Sequence, residues 1–160
     1  MQNKEKEFEL IIEQHSGIIS KVCFFYAIDS DHYKDLWQET MANLWNGFER
    51  FRGDAKMSTW IYRVSLNSCI SFHRKHYKNR NFVPIDEMIE LIDTSTERPE
   101  LLREMYRMIN LLSNIEKAVI MLWLDDHSYD EIAEITGLQR NTVASKLYRI
   151  KEKLSKIANE

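Results

Sequence analysis

The side chains best placed to do chemistry fall into two basic groups. Between residues 50 and 80, eight Lys and Arg stand against a single acidic residue, Asp54. Arg50, Arg52, Lys56, Arg63, Arg74, Lys75, Lys78 and Arg80 are interleaved there with Phe51, Trp60, Tyr62, Phe72 and Tyr77. Cations with aromatic faces between them suit single-stranded nucleic acid, because phosphates attract charge and every base has a face to stack. The second group closes the chain: from 139 to 160, six basic residues meet two acidic ones. Solvated helix faces would also account for Lys and Arg at these places, so charge alone leaves the choice open.

Metal and redox chemistry are weaker prospects. His73 and His76 are three apart on a predicted helix, and His32, Asp35 and Glu39 lie close in sequence. No Glu-x-x-His pair or third ligand at helical spacing accompanies them, so no metal site and no cofactor are predicted. Cys23 and Cys69 sit inside apolar helical patterns and read as core side chains rather than redox sensors. A disulfide scaffold is excluded, and a reduced, cytoplasmic setting fits best.

The elements that must hold these groups are helices. Only 4 of the 160 residues are Gly and 2 are Pro, too few for the many turns of a sheet protein. With 44% apolar residues the chain can bury a core. The fold class is therefore all-α. No 18-residue apolar run is present, which predicts no membrane span. The opening residues, Met1 to Glu7, lack the apolar stretch of a signal peptide.

Apolar spacing predicts a helix on Phe8, Ile11, Ile12, Ile18, Ile19, Val22 and Tyr26, with one weak turn at His15. A second, capped by Asp31, carries Leu36, Met41, Leu44, Trp45 and Phe48. After a loop at Gly53–Met57, a third starts at Ser58 or Thr59, runs to about Lys78 and turns Trp60, Ile61, Val64, Ser68 and Phe72 to one side. Residues 81–99 then become acidic, with Pro84 and Pro99, and read as a linker. The expected domains are thus 1–80 and 100–160. Beyond the linker, Leu101, Leu102, Met105, Ile109 and Leu112 form the next stripe. Ser113 with Glu116 and Ser128 with Glu131 are two capping boxes.

The second capping box opens a helix-turn-helix pattern. Ala133 lets two helices approach, Gly137 supplies a positive-φ turn, and Val143 anchors the second helix. That helix buries Val143, Leu147, Ile150, Leu154 and Ile157. Its other side offers Arg140, Asn141, Thr142, Ser145, Lys146 and Arg149, which can reach base edges and phosphates in a major groove. Arg149, Lys151, Lys153 and Lys156 are expected to supply more phosphate than base contacts. Gln139 is a poor N-cap, so this helix start is not optimised.

Two further motifs carry a family resemblance. Asp35-Leu36-Trp37-Gln38-Glu39, Trp45, Phe51-Arg52-Gly53, Thr59-Trp60-Ile61-Tyr62-Arg63-Val64 and Asn67 resemble the first domain of bacterial extracytoplasmic-function sigma factors. Ser128-Tyr129-Asp130-Glu131-Ile132-Ala133 through Gly137 and Thr142-Val143 to Leu147 and Arg149 resembles their second domain. The resemblance covers residues 8–80 and 101–157. It implies a helical-bundle domain of the sigma region 2 type, a helix-turn-helix domain of the region 4 type, and a sigma factor that directs RNA polymerase to promoters. On that basis Asp35, Leu36, Gln38 and Glu39 would dock on the clamp helices of core RNA polymerase. Phe51, Arg52, Gly53, Asp54, Lys56 and Met57 would form the pocket for a base flipped from the −10 element. Asn67 would face bases near the upstream edge of the bubble, with Arg63, Arg74 and Lys75 joining the −10 DNA-binding set. The helix-turn-helix would read the −35 duplex, and the linker would thread the polymerase channel.

The sequence departs from the pattern in places. Arg63 and Val64 stand where primary sigma factors carry a duplex-wedging Trp pair. Ala144 replaces a usual Lys, and Asn141 a usual Gly. The expected partners are core RNA polymerase and promoter DNA, with an anti-sigma factor as a possible third. The competing readings are a stand-alone helix-turn-helix regulator, which has no need of the 35–39 and 51–67 motifs, and a helical enzyme, for which no catalytic set is found.

Overall fold

The computed structural model describes residues 2–76 and 99–159. Among the described residues there are seven helices and no strands. They are α1 (Gln2–Tyr26), α2 (Ser30–Phe48), α3 (Met57–His76), α4 (Pro99–Ile109), α5 (Asn114–Leu124), α6 (Tyr129–Thr136) and α7 (Arg140–Ala158). The chain divides into two units: the first takes in Met1–Ala27 and Asp31–Arg80, and α4–α7 belong to the second. The expected linker lies outside the described residues apart from Pro99, as do the end of α3 beyond His76 and the side chains of Leu101 and Leu102.

In the first unit α1 packs along α3. Ile19, Val22, Cys23, Tyr26, Leu36, Leu44, Ile61 and Cys69 are all at most 1% exposed and make its core. The weak turn expected at His15 is a break in the helix, with φ −118° and ψ 16°. At the same place His15 Nδ1 donates to the Ile11 carbonyl at 2.9 Å. α2 begins at Ser30, so Asp31 does not cap it but sits in its first turn, where a negative charge still favours the helix dipole. Tyr33 and Ser20 hydroxyls meet at 2.9 Å, Asn43 Nδ2 donates to Ser68 Oγ at 2.8 Å, and Lys4 pairs with Glu49.

Two expected stripes hold in part: Leu36 and Leu44 on α2 and Ile61 and Ser68 on α3 are buried as expected. On α2, Thr40 takes the inward place beside Cys23, while Trp45 stays 39% exposed and meets Phe8 edge-on at 5.0 Å. On α3, Trp60, Val64 and Phe72 are only half-buried, whereas Thr59, Tyr62, Ser65, Leu66 and Cys69 are buried. α3 is enclosed on more than one side, which a one-stripe reading underestimates.

The second unit is built on local signals. Both capping boxes form. The Glu116 N–H donates to Ser113 Oγ, and the Ser113 N–H donates back to Glu116 Oε1. Ser128 and Glu131 repeat this at the start of α6. Asp126 holds the tight turn before α6 at φ 63°, a conformation Asp tolerates. Gly137 ends α6 at φ 80°, its N–H bonded to the Ala133 carbonyl. Val119, Leu122, Ile132, Val143, Leu147 and Ile150 are at most 1% exposed and close the core. On α4, Met105 was expected to face inward but is 38% exposed, and Tyr106 is buried in its place. Adjacent positions differ by about 100° on a helix, and the larger aromatic surface gains more from burial. Lys117 is also buried, its ammonium donating to Asn110 Oδ1 at 3.1 Å.

Candidate nucleic-acid interface

The outer face of α7 follows from its inner one. With Val143, Leu147 and Ile150 buried, Arg140, Asn141, Ser145 and Arg149 come out exposed, and Thr142 and Lys146 are half-buried at the margins. Tyr148, which the sequence reading left out, is 66% exposed beside Arg149. A large aromatic in a helical repeat reads as core, and only the register set by Leu147 and Ile150 expels it. α7 has no side-chain cap at Gln139, as its composition predicted.

The basic residues of α7 divide into two kinds. Lys146 and Arg149 make no ion pair among the described residues. Lys151 lies 4.1 Å above the centroid of the Trp123 ring, and Lys153 reaches Glu116 at 3.5 Å. These two lysines, expected among the phosphate contacts, hold α7 to α5. Burial alone would raise the Glu116 carboxyl, but its bonds from Ser113 and the nearby Lys153 outweigh that and hold it below the usual range. Arg140 is also engaged: its Nε is ion-paired with Asp130 Oδ1 at 3.0 Å and its guanidinium lies 5.8 Å from the Tyr129 ring centroid.

In the first unit, Asp35, Gln38 and Glu39 share an exposed face of α2, as their three- and four-residue spacing requires. Leu36 falls on the opposite side with Thr40 and Leu44 and is fully buried, so its part is to seat the helix, not to touch a partner. Between α2 and α3 the chain bends at Gly53, φ 80°, with Arg52, Gly53, Asp54 and Lys56 exposed. Phe51 packs on Trp60 with ring centroids 5.1 Å apart, which anchors the loop. Met57, half-buried, starts α3. Asn67, Arg74 and Lys75 are exposed on α3, and Arg63, one turn before Asn67, is half-buried.

The histidines and cysteines do not form a metal centre: no group of three or more His, Cys, Asp or Glu is placed to hold an ion among the described residues. His32 is buried, its ring 5.8 Å from Phe72 and 6.2 Å from His73, while Asp35 and Glu39 point outward. The two cysteines, unrelated by sequence, face each other across α1 and α3 with sulfurs 4.0 Å apart. The Cys69 contact lowers the Cys23 thiol pKa. The same contact, and then burial, pushes Cys69 well up. No described helix is long and apolar enough to cross a membrane.

Comparison with known proteins matches these two surfaces to two known domains. Residues 11–79 match Sigma-70 region 2, and residues 102–154 match Sigma-70, region 4. The chain is 30% identical to the RNA polymerase sigma factor SigV of Bacillus subtilis, over 86% of this chain and 82% of that one. It is 26% identical to the ECF RNA polymerase sigma-E factor of Haemophilus influenzae, over 94% of this chain and 87% of that one. Its fold is shared with the sigma factor RpoE of Bartonella quintana, solved in complex with the anti-sigma factor NepR. The TM-score is 0.70 at 18% identity, covering 99% of this chain and 98% of that one. CnrH, solved with the cytosolic domain of CnrY, gives 0.70 at 19% identity, over 97% of this chain and 89% of that one. With an all-helical fold, both domains in order and relatives matched along most of its length, the chain belongs to the sigma-70 family of RNA polymerase sigma factors, in the extracytoplasmic-function group.

Proposed function

We propose that this chain binds core RNA polymerase and directs it to promoters, reading the −35 duplex with α7 and the melted −10 element with the loop before α3 and the outer face of α3. The observation that carries this is the pairing, in one chain, of a region 2 match containing the exposed Asp35, Gln38 and Glu39 with a region 4 match containing the exposed face of α7. A stand-alone helix-turn-helix regulator would leave residues 11–79 without a task.

The domains are then residues 1–80 for polymerase docking and −10 recognition, 81–99 as linker, and 100–160 for −35 recognition. Asp35, Gln38 and Glu39 meet the polymerase, with Leu36 seating their helix. Arg52, Gly53, Asp54, Lys56 and Met57 surround the flipped base, and Phe51 braces the loop from behind. Unstacking a base costs a few kcal/mol, offset by stacking and by hydrogen bonds to its edge. Asn67 suits that edge because its amide both donates and accepts. Arg63, Arg74 and Lys75 accompany the strand backbone. Arg140, Asn141, Thr142, Ser145, Lys146 and Arg149 face the −35 groove. The work is recognition and melting, with no catalytic group and no cofactor, carried out in the cytoplasm where the polymerase is. An anti-sigma protein is a fitting regulator, given that the Bartonella RpoE was solved with one.

The test is a pull-down with core RNA polymerase followed by run-off transcription. Gln38→Ala with Glu39→Ala, both exposed and away from the core, should weaken polymerase binding at least tenfold while helix content and −35 duplex binding stay unchanged. Undiminished polymerase binding would refute the docking assignment.

A further inference from the structure

α7 starts without a side-chain cap, yet its first residue is not loose. Arg140 Nε forms an ion pair with Asp130 Oδ1 at 3.0 Å, and the guanidinium lies 5.8 Å from the Tyr129 ring centroid. Asp130 and Tyr129 open the preceding helix, so the contacts cross the helix-turn-helix from one N-terminus to the other. The side chains are open to water, with Arg140 62% and Asp130 78% exposed. A pair so exposed adds little to stability. It also places a negative charge beside a face that would meet phosphates, which works against non-specific attraction. Both facts need another explanation.

The geometry supplies one. Nε is the guanidinium nitrogen nearest the stem, so a carboxylate paired there draws the group toward α6 and leaves the two terminal amino groups unused by this contact. The Tyr129 ring limits its remaining swing. Two parallel N–H donors at the end of a held stem match O6 and N7 of guanine in the major groove. One turn further along α7 stands Ala144, whose methyl leaves the space beside Arg140 unfilled by another long side chain. We propose that Asp130 and Tyr129 are positioning residues for Arg140, presenting its terminal amino groups to a guanine edge, so that sequence discrimination by α7 depends on the first turn of α6. This rests on the reading of α7 as the duplex-recognition helix.

The test uses holoenzyme assembled from the full chain and core RNA polymerase. The probe is a pool of duplexes with six randomised base pairs, at fixed distance from a premelted −10 bubble, and the retained fraction is sequenced. Wild type enriches guanine at one position. Asp130→Ala and Arg140→Ala each lower that preference by about tenfold at the same position. The double variant is no worse than Arg140→Ala, and Asp130→Asn, whose amide oxygen can take the place of Oδ1 beside Nε, keeps most of the preference. Circular dichroism of each variant confirms the fold.

Three results overturn the proposal. Asp130→Ala could keep the preference and bind every sequence more tightly, which would make Asp130 a mere repeller of phosphate. Arg140→Ala could weaken all sequences equally and lower the salt slope, which would place Arg140 on phosphate. The Asp130→Ala effect could persist in the Arg140→Ala background, which would route it through another residue. If wild type enriches nothing and Lys146→Ala and Arg149→Ala leave retention unchanged, the duplex-recognition reading itself has failed, and the proposal with it.

Discussion

Lys117 offers a stability measurement with a sign that can be worked out beforehand. The residue is 6% exposed, and burial lowers its ammonium from the ordinary 10.5 to about 8. The gap, about 2.5 pH units, corresponds to about 3 kcal/mol. Because the folded pKa lies below the unfolded one, the folded state carries this penalty in full below pH 8. As pH rises from 8 toward 10.5, the unfolded chain still holds the proton and the folded chain does not, so stability climbs by up to that amount. Lys117→Met removes the charge and also the bond to Asn110, itself worth about 1 kcal/mol. The variant should therefore be about 2 kcal/mol more stable than wild type at pH 7. The advantage should vanish by pH 10, with a small deficit in its place. The Tyr106 phenol, pushed well up by burial, pulls the other way near pH 10 but is common to both proteins and cancels in the difference. A two-unit chain needs a local probe. Urea unfolding followed by 19F NMR of 5-fluorotryptophan at Trp123, the one tryptophan beyond residue 60, reports on this unit. A less stable variant at pH 7, or a stability gap independent of pH, would refute the account.

The remaining predictions concern α7 and its turn. Lys146→Ala and Arg149→Ala should each weaken −35 duplex binding and, where phosphate is the contact, reduce the salt slope by about one, read by filter binding across a salt series. Lys151→Ala and Lys153→Ala should leave that slope unchanged, and Lys151→Ala should instead cost about 0.5–1 kcal/mol of stability through its lost contact with Trp123. Gly137→Ala forces a Cβ into φ 80° and should destabilise the second unit by about 1 kcal/mol, although nothing stands within 4 Å of the added atom. An unchanged urea midpoint there would show that the turn is not strained.

How much of this was legible depended on distance along the chain. Both capping boxes, the Gly137 turn and the uncapped Gln139 are decided within four residues, and the sequence carries them openly; at His15 it carries only a weak turn, not the break. Family motifs placed the two domains. What sequence spacing did not carry was rotation and pairing. Met105 and Tyr106 exchange places because the core sees the whole helix at once. Trp45 yields its inward position to Thr40 because Cys23 lies opposite. The meeting of Cys23 with Cys69 needs α1 laid on α3, and that of Asp130 with Arg140 needs the turn between them to close. Spacing also does not show that Lys151 meets Trp123 or that Lys153 meets Glu116. Leu36 shares a motif with Asp35 and Gln38 but not their face.

Glu116 Oε1 takes part in two contacts at once: it accepts the Ser113 N–H that begins α5, and it receives Lys153 from α7. A fraying first turn of α5 therefore gives up one of the contacts that hold α7, and a detached α7 loosens the first turn of α5. The two events share one oxygen, so they should not occur independently. Amide protons near Ser113 and near Lys153, forty residues apart in the sequence, should then exchange with solvent through a common opening rather than two local ones. A helix start and a helix packing contact are thereby linked through one carboxylate oxygen.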